Sequence, residues 1–543
     1  MPPLGLCFTP VRGAIPAMMM SPGFASHCCS RLAPVLAVAA LGAGMLRVAA
    51  GGVTLITHGF NSDVDSWIVP MQERVAHYSG LSPTNTACYE ITITQNGQGQ
   101  YVPAATFLSG TNPLAAASGE ILIKLNWSTL SGLGGPSTIT VANAAANALL
   151  ATNLIPALGG RPLVELPLHL VGHSRGASVV AELSRLLGAQ GIWVDHLTGL
   201  DPVPVSSFGD PAMKLYANIL YADNYWQNLG VFLDPQGQSL PGAYNRKLTT
   251  LSGAAFSAHS DVHLWYHGTV DFNAPITVDG ATITTTERQN WWFSTEQRGT
   301  NAGFRLSRIG GGNRLSSAEP AGAGNGRISD GFNRNYALGG GLTTNRTTLP
   351  VNSGAWPNPI LLTHNATNPL PAGAPFALTL HHQSGTNLAT NVTWQVFLDR
   401  DANPWSGNET LIHQEMLPGT GTNATAAATR TAHPEATVVS PGTYRVLTRL
   451  SQSGRSRYLY APAPVVLTTS TNAPVLASIG VTNGVFQWRV SAFAGQTVVT
   501  EASTNLEHWI AVATNTISGS GFDLVDTNVT GTPARFFRAA LQP

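Results

Sequence analysis

The stretch Leu168-His-Leu-Val-Gly172-His-Ser174-Arg-Gly176-Ala-Ser-Val-Val180 decides how the first half of the chain folds. A leucine- and valine-rich run leads into it and a series of Ala, Val and Leu leaves it, so the pattern reads strand, sharp turn, helix. Without a Cβ at 172 and 176, strand and helix can approach closely, while the turn forces the serine into strained backbone angles. The hydroxyl then projects above the sheet edge at a helix N-terminus, whose dipole favours developing negative charge. This is the arrangement of a nucleophile elbow, and it makes Ser174 the candidate nucleophile. G-x-S-x-G alone carries little weight in a chain with 56 glycines. Its flanking strand and helix supply the weight.

Upstream lies Thr54-Leu-Ile-Thr-His58-Gly59-Phe60-Asn61-Ser62. Val53–His58 reads as a buried parallel strand ending in His-Gly, where a loop that holds an oxyanion belongs. Gly59 lets the backbone turn so that the Phe60 N–H faces the substrate, and the Arg175 N–H is the second donor. His58 is expected to shape this loop. Downstream, Leu197-Thr-Gly-Leu-Asp201-Pro-Val-Pro204 places Asp201 at the carboxyl end of a strand, where ligands of parallel sheets bind. A rival acid, Asp223, stands at the end of the next predicted strand. The base is sought among His259, His263 and His267, in the order Ser, Asp, His. His259, at a predicted loop end just before a helix, is favoured.

Further out, helices are predicted over 65–78, 141–158 and 177–187, and strands over 120–126, 193–200 and 215–222. Strands separated by helices imply βαβ units and a mostly parallel sheet, hence an α/β domain. Residues 301–341 are rich in Gly, Asn, Ser and Arg with weak periodicity. From Pro359 the helical signal disappears. Short strands over 376–381, 392–398, 444–450 and 458–467, separated by turn residues, predict a β-sandwich of immunoglobulin-like size. The expected layout is a signal peptide at 1–50, an α/β catalytic domain at 51–355, a β-sandwich accessory domain at 356–470 and a small C-terminal β domain at 471–543.

The signal rests on Arg12 and Arg31, on the apolar run Leu32–Leu46, which is short of the roughly 20 residues that cross a bilayer, and on small residues before a cut after Ala50. The mature chain is therefore expected to be secreted, periplasmic or at the cell surface, without a transmembrane span. Of four cysteines only Cys88 remains after that cut, so no internal disulfide can form. Lys+Arg and Asp+Glu both number 28, and charged residues make up only 10%. No clustered basic face suggests nucleic acid as a partner.

The run Asp399-Arg-Asp401-Ala-Asn403-Pro-Trp-Ser-Gly407-Asn408-Glu409 resembles the start of a calcium loop, yet its glycine and glutamate offsets do not fit one. A solvated Asx-rich turn is the preferred reading, with no metal. No organic cofactor is implied. The segment 203–258 has the length of a lid, and Trp291 and Trp292 are candidates for an acyl groove. The C-terminal β units are candidates for cell-surface or matrix association.

Thr57-His-Gly-Phe60, Gly172-His-Ser-Arg-Gly-Ala177 and Thr198-Gly-Leu-Asp-Pro202, in this order, resemble the pancreatic-type lipase group of α/β-hydrolases, over roughly Val53 to Gly268. The resemblance implies an α/β-hydrolase fold, with Asp201 as the acid after the strand that follows the nucleophile unit, and Phe60 and Arg175 as oxyanion donors. The chain departs from the group by lacking its disulfides and in its C-terminal half. The expected activity is hydrolysis of carboxylic esters, lipids included, through Ser174, Asp201, His259 and an acyl-enzyme. The alternative is a hydrolase scaffold that has lost activity and serves in adhesion or cell-surface binding.

Overall fold

Eight strands form the sheet that carries the elbow in the computed structural model, which describes residues 51–542 apart from breaks at 78–84, 231–233, 250, 252–257, 271–276, 279–280, 283–285, 287–302, 308–346, 348–355, 385–390, 422–424, 435–438, 470–472, 483–484, 494 and 528–533. The strands are β1 (Val53–Thr57), β2 (Ala87–Gln95), β3 (Tyr101–Gly110), β4 (Ile121–Asn126), β5 (Leu168–His173), β6 (Val194–Leu200), β7 (Ile219–Trp226) and β8 (Tyr244–Lys247). Their spatial order is β3-β2-β4-β1-β5-β6-β7-β8. Every neighbouring pair is parallel except the β2–β3 hairpin. The sheet is mixed, and with its helices it makes the expected α/β unit.

Both faces are covered, which is why β1, β5 and β6 are buried at every position. Helices α3 (Thr138–Leu150) and α4 (Arg175–Ala189) share one apolar cluster with Val53 and Leu55. Helices α1 (Ile68–Ala76) and α5 (Ala258–Val270) share another with Ile56. The alternation of Leu55 and Ile56 between clusters is the period of two that a strand imposes. A short α2 (Ser128–Ser131) follows β4. Thr57 pairs with Gly172, and His173 with Leu200, so the chain leaves β1, β5 and β6 at one rim.

Three expectations shift. The helix predicted to 158 ends at Leu150, and Pro156, which lacks an N–H, opens a separate short 3₁₀ turn. The strand predicted from 215 begins at Ile219, because the backbone before it pairs with Thr347 instead of β6: the Ala217 N–H donates to Thr347 O and the Thr347 N–H to Leu215 O. The β2–β3 hairpin is additional. Its turn is fixed by Asn96, whose Oδ1 accepts from the N–H groups of Gln98 and Gln100.

Beyond residue 356 every regular element among the described residues is a strand. A three-stranded sheet (358–364, 376–383, 426–432) and a five-stranded sheet (370–371, 455–468, 442–452, 391–399, 410–418) enclose a core containing Trp394, Val396, Val446 and Leu459. Two smaller three-stranded sheets (475–482, 485–491, 521–526 and 510–516, 497–503, 536–541) follow, around Trp488 and Val490. Trp356, Trp405, Tyr458 and Tyr460, all from this β region, belong to the same apolar cluster as β5 and α4.

Polar contacts line that seam. Arg457 donates to the carbonyls of Val164 and Leu166 and, at 2.6 Å, to Asn358 Oδ1. Asn403 donates to the carbonyls of Pro113 and Ala116 at 2.7 and 2.6 Å. The Asx-rich turn is therefore not solvated as expected: Ala402, Asn403 and Trp405 are buried against the α/β unit. Among the described residues, no group of three His, Cys, Asp or Glu is arranged to hold a metal ion. Among them, too, no helix is long and apolar enough to cross a membrane. The expected signal peptide, Trp291, Trp292 and all but 303–307 of the stretch 301–341 lie outside the described residues.

Candidate active site

Ser174 sits between β5 and α4 with φ 56° and ψ −124°, a left-handed backbone that non-glycine residues rarely adopt. The strain persists because its surroundings over-determine it. The Ser174 N–H donates to Leu200 O at 2.9 Å, and the Ser174 carbonyl accepts from the N–H groups of Ala177 and Val203. The flanking glycines meet the requirement read from the sequence. A Cβ at Gly172 would strike the Gly176 backbone, and one at Gly176 would strike the His58 carbonyl. Gly59 lies directly over the serine, where a Cβ would stand 2.6 Å from Ser174 Cβ and 3.0 Å from its Oγ.

Asp201 leaves the end of β6 with φ 45° and is fully buried. Its Oδ1 accepts from the N–H groups of Gln227 and Gly237, and its Oδ2 from Gln227 Nε2 at 2.9 Å. The fourth partner is His259 Nδ1, 2.6 Å from Oδ2. A carboxylate only accepts, so Nδ1 carries the proton and Nε2 of the neutral ring is left with a lone pair. His259 is the second residue of α5, so the expected loop end is instead the first turn of a helix. No direct hydrogen bond joins Ser174 Oγ to the imidazole, but His173, adjacent in sequence to the serine, packs its ring 4.6 Å from that of His259 and bonds Nε2 to the His259 carbonyl at 3.0 Å.

The alternatives have other partners, and His263 also lies beside the elbow, its ring 4.8 Å from that of His173. Asp223 is inside β7, and its carboxylate takes His196 Nε2, Thr198 Oγ1 and Tyr225 OH, at 2.9, 2.6 and 2.9 Å. His263 stacks on Trp67 at 4.4 Å, and burial pushes its imidazole down to about 3. His267 is buried deeper along α5. Much of the lid candidate is built into the structure: β8 extends the sheet, and Gly237 cradles Asp201.

Phe60 and Arg175 flank the serine. Among the described residues the Phe60 N–H meets no acceptor. The Arg175 N–H is the first of α4 and has no carbonyl one turn back. His58 shapes the loop as expected: its Nδ1 bonds to Gly59 O at 3.1 Å and its Nε2 accepts from the Trp127 N–H at 3.2 Å. Burial lowers it to about 4, and it lowers His173 well below the usual imidazole range, helped by the neighbouring His259 and His263. The sequence reading missed His173, Gln227, Trp127 and Asp210. Only His173, inside the elbow motif, carried a local signal.

No family model matches the chain. Pancreatic lipase-related protein 2 of Bos taurus is 30% identical to it over 102 aligned positions, which take in 15% of this chain and 21% of that protein. The chain thus spans about a fifth of that relative's length, a partial, lipase-like similarity.

Proposed function

We propose that this chain is an exported serine hydrolase of the α/β-hydrolase type that cleaves carboxylic esters, with an immunoglobulin-like sandwich and a small β unit as accessory domains behind a signal peptide. The observation that carries the reading is the Asp201–His259 pair at 2.6 Å, held at the rim where the strained Ser174 stands. The partial similarity to a lipase-related protein supports the ester class.

In this reading His259 Nε2 takes the proton of Ser174 Oγ as the oxygen attacks the ester carbonyl. The N–H groups of Phe60 and Arg175 hold the oxygen of the tetrahedral intermediate. Asp201 fixes the tautomer and stabilises the imidazolium, which then protonates the departing alkoxide. Water, deprotonated by the same imidazole, attacks the acyl-enzyme, and the imidazolium returns that proton to Ser174 Oγ as the acyl–oxygen bond breaks and the acid leaves. His58 and His263, lowered by burial to about 4 and about 3, are weaker bases than an ordinary imidazole and compete poorly for the serine proton.

A fluorophosphonate probe tests this. Covalent labelling that Ser174→Ala abolishes supports the hydrolase. A folded wild type that takes up no label and hydrolyses no ester would turn the reading toward a binding protein on an inactive scaffold.

A further inference from the structure

Arg175 is fully buried, yet it is the residue after the serine and its side chain faces away from the ester-binding rim into a set of loops. It forms a bidentate pair with Asp210, Nε to Oδ2 at 2.5 Å and Nη2 to Oδ1 at 3.0 Å. The remaining contacts go to backbone: Nη2 to Pro136 O at 2.6 Å and Nη1 to Ser131 O at 3.1 Å. Ser131 is the anchor of the candidate oxyanion loop. Its carbonyl also accepts the Asn61 N–H at 3.3 Å, and its hydroxyl bonds to Ser62 O at 3.4 Å. Asn61, next to Phe60, is itself left-handed at φ 47°, so its peptide planes stay in place only while such contacts hold.

The rings tell the same story from the other side of the loop. The guanidinium lies between Trp127, 5.1 Å away, and Phe208, 4.8 Å away. Trp127 stacks on His58, and Phe208 packs against Phe60. The array His58–Trp127–Arg175–Phe208–Phe60 thus grips the chain immediately before and immediately after Gly59. A planar fork with five donors suits this task, since four of its bonds here run in fixed directions within one plane. Asp210 balances the charge and ties in the N–H groups of Thr138 and Val205.

We infer that the Arg175–Asp210 pair is a positioning device for the oxyanion hole: the residue that offers one donor through its backbone aims the other, the Phe60 N–H, through its side chain. This rests on the serine-hydrolase reading, and it goes beyond it by assigning the aim of one donor to a buried ion pair that touches neither substrate nor base.

The experiment measures ester turnover, and binding of an alkylboronic acid as tetrahedral mimic, in wild type, Arg175→Leu, Arg175→Lys and Asp210→Asn. Every variant keeps the backbone N–H at 175. Arg175→Leu is expected to lower kcat by about 10²–10³, the loss of one donor, with KM changed less than about threefold. Boronate affinity should fall in parallel, affinity for the non-hydrolysable ether analogue should hold, and the pH profile should keep its shape. Arg175→Lys should lie between. If Arg175→Leu does not fold, Asp210→Asn and Phe208→Ala, which leave the guanidinium in place, carry the test with smaller losses of kcat and boronate affinity. A folded variant with kcat within threefold of wild type overturns the inference, as does a kcat loss without a parallel boronate loss. Failure of the parent reading looks different: wild type itself then shows no turnover and no label on Ser174.

Discussion

The rim around Ser174 and the seam between the α/β sheet and the β-sandwich both bury titratable groups, and those whose titration burial shifts most are of opposite kinds. At the rim these are imidazoles, and desolvation drives His263 to about 3 and His58 to about 4. At the seam they are acids, and desolvation raises Glu165 and Asp399 to about 7, against the opposing pull of Arg161 and Arg449 on the first and of Tyr460 on the second. Both regions avoid uncompensated charge by staying protonated or deprotonated as neutrality demands. They differ in what titration does to them. A depressed imidazole costs stability as pH falls below the unfolded value near 6.5, where only the unfolded chain takes the proton. A raised carboxyl stabilises fully below its unfolded value near 4, and that contribution is lost as pH rises through about 7.

The largest expected effect separates chemistry from stability. Ser174→Ala should lower ester turnover by roughly 10⁴–10⁶ while leaving thermal unfolding almost unmoved; a large drop in Tm would show that the rim is structural as well. Next, Asp201→Asn should cost about 10⁴ in kcat by permitting the wrong tautomer, whereas Asp223→Asn should destabilise the fold and keep turnover within tenfold. Steady-state kinetics on both decides, and the reverse pattern would transfer the acid's role to Asp223. At the seam, Arg457→Met removes the cation 3.6 Å from the buried Asp195 carboxylate and strips partners from Asn358 and from the carbonyls of Val164 and Leu166. A loss of about 3–5 kcal/mol is expected in urea unfolding, as for a broken buried ion pair, with kcat/KM on a small soluble ester unchanged.

Two smaller effects sharpen the contrast in pH. Asp399→Asn should remove a decline of about 3 kcal/mol in stability between pH 4 and 7, seen as a flatter curve of unfolding free energy on that side. His263→Phe should remove about 2 kcal/mol of the acid loss between pH 6.5 and 5. If either substitution flattens the opposite limb, the division between rim and seam is wrong.

How much of this was legible depended on sequence distance. The elbow was readable because its glycines are demanded locally, by the contacts that a Cβ at 172 or 176 would make. The position of Asp201 just after β6 was readable from the apolar run before it. The candidate base was one of three histidines that share a helix, and only the environment distinguishes them: Asp201 beside His259, Trp67 beneath His263. The predicted strand was set four residues early, which placed Asp223 at a strand end rather than inside β7. The β2–β3 hairpin had a signal, Asn96-Gly97 between alternating residues, that went unread. Asn403 and Arg457 could not have been assigned, since their partners stand some 290 residues away.

Trp356, Trp405, Tyr458 and Tyr460 complete the packing beneath β5 and α4. A gene fragment ending at 355 would therefore open to water the apolar face that these four side chains cover, and its product is expected to aggregate more readily than the full chain.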